Sequence, residues 1–90
     1  MNSNKNEIYQ WKQENNHLKR EIIFRDFKQA LHAMNLIGTA AEELNHHPDW
    51  SNCYNILEIK LFTHTTNNIT ELDYTLALKI NEIIAENFTI

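Results

Sequence analysis

CYNILEIKLFTH, residues 53–64, alternates along its length: Leu57, Ile59 and Leu61 share one parity, and Glu58 and Lys60 the other. Successive side chains of a strand point to opposite faces, so this run predicts a strand with one dry and one wet face. Thr63 continues the dry set, which turns His64 to the other side or into the following loop. Such a strand belongs to a sheet whose dry face a second layer must cover.

Working upstream, NHLKREIIF (16–24) repeats the pattern, with Leu18, Ile22 and Phe24 alternating in register with Arg20. Trp11 to Asn15, before a polar turn, is its expected hairpin partner. Between the two alternating runs lies a helix. Asp26 and Gln29 have capping-box spacing, and Phe27, Leu31, Met34, Ile37, Ala41 and Leu44 follow at intervals of three and four. That predicts about five turns of amphipathic helix. Gly38, the single glycine, sits inside it at a cost of about 1 kcal/mol relative to alanine, which close approach of another helix, of the sheet or of a partner subunit would explain.

Pro48, the single proline, disfavours helical geometry at His47, so the helix stops at Asn45 or His46. The pair His46–His47 therefore marks a helix C-terminus. Downstream of the decisive strand, TTNN (65–68) reads as a turn. Thr70 and Asp73 form a second capping-box spacing, with Leu76, Ile80, Ile83 and Ile84 on one face of a final helix. The fold class is α+β: helices packed on one face of an antiparallel, about four-stranded sheet.

Ninety residues predict one domain over 9–90, preceded by a flexible polar tail over 1–8. With 42% hydrophobic and 22% charged residues of mixed sign, the chain has the composition of a soluble globular protein. A net charge of -4 argues against a nucleic-acid partner, which requires a clustered positive surface. Cys53 is the only cysteine and cannot form an internal disulfide. The polar start and the lack of a long apolar run predict a cytoplasmic protein with no membrane association.

Three readings compete for His46, His47 and His64. A metal site is disfavoured: adjacent histidines rarely aim at one ion, and no Cys-x-x-Cys or His-Glu-x-x-His is present. A purely structural account gives each histidine a separate role as helix cap, turn residue or solvated strand end. Acid–base chemistry without a cofactor is the third, because imidazoles in different surroundings can donate and accept protons near neutrality. His17 and His32 lie outside the motif and read as solvated polar positions.

The stretch EELNHHPDW (42–50), then YNILEIKLFTH (54–64) and ITELDYTLALKI (69–80), strongly resembles the pterin-4a-carbinolamine dehydratase family. The family pattern of Glu-x-x-x-His-His-Pro-x-Trp, a Thr-His about sixteen residues later, and Thr-x-x-Asp-x-x-Leu-Ala is met by Glu42, His46, His47, Pro48, Trp50, Thr63, His64, Thr70, Asp73, Leu76 and Ala77. FRDFKQAL (24–31) looks like the family's helix entry, so the resemblance covers residues 11–84. It implies dehydration of 4a-hydroxytetrahydropterin to the quinonoid dihydropterin, with His46, His47 and His64 as acid, base and hydrogen-bond partners and no metal or other cofactor.

Substrate contacts implied by the same resemblance fall on Glu42, Asn45, Pro48 and Trp50 before the decisive strand, and on Thr63, Thr65, Thr66 and Asp73 after it. Glu42 lies one helical turn before His46, a spacing that predicts orientation of that imidazole. Asp73 is expected to cap the last helix as well as shape the site. Trp50 is as well suited to packing under the turn as to stacking on a pterin, and packing is the commoner fate of a large aromatic there. One departure stands out: Asn68 occupies the position of the family's usual turn glycine, where a left-handed backbone is expected. Implied partners are a pterin substrate, an aromatic amino-acid hydroxylase in the same pathway, and further copies of the chain in a homodimer or homotetramer. An alternative role is that of relatives that serve as dimerisation cofactors for a homeodomain transcription factor.

Overall fold

Four strands and two helices make up the fold: β1 (Lys12–Glu14), β2 (His17–Ile23), α1 (Phe27–Leu44), β3 (Asp49–Cys53), β4 (Ile56–Leu61) and α2 (Glu71–Asn87). This computed structural model describes residues 10–89; the tail expected over 1–8 lies outside them. The strands form one antiparallel sheet in the order β1-β2-β4-β3. The α+β architecture expected from the sequence is the one observed.

The decisive run is shorter as a strand than its pattern suggested: Cys53 closes β3, Tyr54 and Asn55 form the turn, and Ile56–Leu61 become β4, at the centre of the sheet. Leu57, Ile59 and Leu61 are buried opposite Ile22, Arg20 and Leu18 of β2, so the dry faces of the two strands coincide. Both helices cover that face, and Ala30, Ala33, Ile37, Leu76, Ala77 and Ile80 complete the core. Arg20 faces the same side and escapes burial of an unpaired charge by donating to Asn81 Oδ1 at 2.6 Å. The same oxygen accepts from Trp11 Nε1 at 2.9 Å, which ties the first hairpin to α2.

Three features differ from what the sequence alone suggests. The core stripe of α1 is one of alanines around Ile37, whereas Phe27 and Leu31 are 45% and 44% exposed. Phe27 is the first helical residue after the Asp26 cap, and the apolar period drifts from it toward the true core face by Ala30 and Ala33. At Gly38 an added Cβ would meet nothing within 4 Å, so no helix or strand among the described residues makes a close approach there. Finally, β3 was not legible as a strand. Its sequence, DWSNC, is polar because it is an edge strand paired only with β4.

Candidate active site

α1 ends where its carbonyls are satisfied by a reversal of the chain. Asn45 adopts a left-handed conformation (φ 53, ψ 42), its N–H donates to Ala41 O and Glu42 O, and the His46 N–H donates to Ala41 O at 3.1 Å. Asparagine tolerates this backbone better than most residues, and Pro48 then forces extension. These constraints place His46 and His47 on a short rigid exit between α1 and β3.

The second contribution comes from the exit of β4. Thr63 pairs with Asn68 across a tight turn in which Thr63 O accepts from the Asn67 N–H at 2.7 Å and Thr63 N donates to Asn68 O at 2.8 Å. The left-handed residue is Asn67 (φ 54) and not Asn68, so the glycine-like position lies one residue earlier than expected. His64 projects from this turn.

Asp73 joins the two segments. It completes the expected capping box at the start of α2, yet it is also fully buried, and both oxygens are used. Oδ1 lies 2.6 Å from His46 Nε2, while Oδ2 accepts from the Thr63 hydroxyl at 2.9 Å and the Thr70 N–H at 2.8 Å. One carboxylate thus fastens the α1 exit, the β4 exit and the α2 entrance to each other. Capping spacing in the sequence revealed Asp73 but not its bond to His46.

Glu42 does not orient His46, as its spacing predicted; its Oε2 lies 2.6 Å from His47 Nε2. The left-handed step at Asn45 breaks the helical phase on which the prediction rested, turning His46 toward α2 and His47 back over the last turn of α1.

Between these segments opens a cleft of about 590 Å³, lined by Asn45, His46, His47, Pro48, Thr63, His64 and Thr65 among the predicted residues, and by Asp49 and Leu72, which sequence reasoning missed. No motif marks Asp49 or Leu72; Asp49 reaches the cleft because it follows Pro48 at the start of β3, and Leu72 because it precedes Asp73 in the first turn of α2. Glu42, Trp50, Thr66 and Asp73 do not line the cleft; Glu42 and Asp73 reach it only through the histidines they hold. Trp50 lies opposite Ile59 and packs against the core, which is the packing role its position after Pro48 favoured. Among the described residues no three His, Cys, Asp or Glu side chains are grouped as metal ligands.

An α+β domain with a cleft walled by three imidazoles is the class that fold and geometry define. A sequence model of the pterin 4 alpha carbinolamine dehydratase family matches residues 2–83, and the chain belongs to that family. It is 47% identical over 73 residues to a protein of Prochlorococcus marinus (strain MIT 9515) provisionally named pterin-4-alpha-carbinolamine dehydratase, covering 81% of this chain and 76% of that one. A protein of Sulfurisphaera tokodaii with the same provisional name is 37% identical over 79 residues, 88% of this chain and 85% of its own. Among solved structures, a transcriptional coactivator/pterin dehydratase from Brucella melitensis superposes with a TM-score of 0.84 at 36% identity, over 92% of this chain and 90% of that one. A pterin dehydratase-like protein identified as a RuBisCO assembly factor in the α-carboxysome shares the fold (TM-score 0.71, 83% of this chain and 89% of that one) at 17% identity.

Proposed function

We propose that the cleft dehydrates 4a-hydroxytetrahydropterin to the quinonoid dihydropterin. The observation that carries this reading is the convergence of His46, His47 and His64, from two separate segments, on one cleft of a size suited to a small flat heterocycle. In the reaction the C4a–O bond breaks and the 4a-oxygen takes a proton and departs as water. N5 loses its proton, and the freed electron pair closes the C4a=N5 double bond. One general acid and one general base suffice, and imidazole serves as either near neutrality.

His46 and His47 each have Nε2 engaged by a carboxylate, so Nδ1 is the nitrogen left to exchange a proton with the substrate. His64 has neither nitrogen engaged among the described residues and can give or take a proton at either. Pro48 and Leu72 offer apolar edges to the ring, and Asn45 and Thr65 offer polar groups to its heteroatoms. In this reading the chain works in the cytoplasm as a homodimer or homotetramer, on substrate released by an aromatic amino-acid hydroxylase. The assembly is supported by α1, which presents Phe27 and Leu31 outward, and no helix among the described residues is long and apolar enough to cross a membrane.

The test is dehydration of chemically generated carbinolamine by the purified chain, with His47→Ala and His64→Ala in parallel. Wild type should exceed the buffer rate, and each variant should lose about 10²–10⁴-fold in turnover. If all three match buffer, the assignment is wrong and a protein-binding role replaces it.

A further inference from the structure

Each of the three imidazoles needs something to hold its ring, and only two of them have a carboxylate. His46 is held by Asp73 and His47 by Glu42, whereas His64 makes no hydrogen bond among the described residues. It is an exposed turn residue and would sample several rotamers if nothing restrained it. What it has is an aromatic plate: the rings of Phe62 and His64 lie 4.4 Å apart, centroid to centroid, at an interplanar angle of 7°.

We propose that Phe62 is the positioning residue of His64, its ring backing the imidazole so that the nitrogen-bearing edge stays turned to the cleft. This rests on the dehydratase reading and names a component of the same site. Residues two apart on an extended segment project to the same side, which brings the two rings together. Thr63 between them is fixed by its pairing with Asn68 and by its hydroxyl on Asp73, so the backbone that carries both rings is rigid. Phe62 does not itself line the cleft, whereas His64 does. Its effect is therefore on the orientation of a proton-transfer group and not on the binding surface. Stacked aromatic pairs are stabilised beyond the area they bury, by an amount that an aliphatic side chain of similar volume does not supply.

Three proteins separate the possibilities: wild type, Phe62→Leu and Phe62→Tyr. Phe62→Leu should lower kcat about threefold to tenfold with KM unchanged, and Phe62→Tyr, which keeps the ring, should restore it. The second readout is NMR of the histidine side chains. In wild type and Phe62→Tyr the His64 ring protons should lie upfield, over the face of a neighbouring ring, and in Phe62→Leu they should move to the position of an unstacked imidazole. Active wild type with an equally active Phe62→Leu, or a rise in KM at constant kcat, overturns this inference alone. So do His64 ring protons that are not shifted in wild type, a result that decides the matter even if Phe62→Leu does not fold. Wild type with no activity above buffer overturns the dehydratase reading, and this role with it.

Discussion

His46 meets Asp73 and His47 meets Glu42 at the same Nε2–O separation, 2.6 Å, yet the side chains of the first pair are 10% and 0% exposed and those of the second 55% and 77%. The comparison shows that a distance does not fix what an interaction contributes. An exposed pair competes with water and is screened by salt, and such pairs contribute about 0–1 kcal/mol. Asp73 has no access to water and also holds the Thr63 hydroxyl and the Thr70 N–H, so breaking this buried pair costs about 3–5 kcal/mol. Asp73 therefore holds the site together, whereas Glu42 only steers the ring beside it.

The largest expected effect follows from removing the buried carboxylate. Asp73→Ala strands His46, the Thr63 hydroxyl and the Thr70 N–H without their acceptor, and should lower the melting midpoint by more than about 10 °C. Asp73→Asn separates architecture from chemistry. Its amide NH2 has the same shape but offers a donor where His46 Nε2 now finds an acceptor, which favours the opposite tautomer. Carbinolamine turnover should fall on the order of 10²-fold, with a loss of stability smaller than that of the alanine variant. Equal stability losses in the two variants would break the distinction.

On the exposed side, Glu42→Gln should change stability by less than about 1 kcal/mol, and any difference from wild type should shrink further in high salt. A thermal melt as destabilised as that of Asp73→Ala would show that exposure is a poor guide here. Smaller still is the Lys19–Glu58 pair on the wet face of the sheet, 3.2 Å apart. The hydrogen bond to Glu58 raises the Lys19 pKa above its ordinary 10.5. A raised lysine pKa stabilises the fold fully below the unfolded value and loses that contribution as pH climbs through the folded value. Glu58→Gln should thus lower the melting midpoint slightly at neutral pH, by less than Glu42→Gln does, and the deficit should vanish as the pH is raised through the folded Lys19 value, above 10.5; a large deficit at pH 7, or one that persists at higher pH, would refute this.

The same contrast explains what was legible in the sequence. Period and punctuation are local signals, and they placed β2, β4, both helices, the stop before Pro48 and the Thr70–Asp73 capping box. Partnerships between distant segments carry no such mark. Nothing near Asp73 announces that its second role is to hold His46, and the spacing of Glu42 pointed to the wrong histidine because Asn45 reverses the chain between them. Edge strand β3 escaped detection for a related reason: a strand with one neighbour can be polar, and polar residues carry little periodicity. Family resemblance named the three histidines; only coordinates show that they share a cleft.

The central claim is that three of the five histidines serve one flat ligand. Titration of a stable dihydropterin into the protein, followed by side-chain NMR of every histidine, tests it most directly. The account predicts that the His46, His47 and His64 ring resonances move together along one binding curve while His17 and His32 stay in place. Resonances of His64 that remain still while the adjacent pair responds, or no response from any of the three, would contradict it.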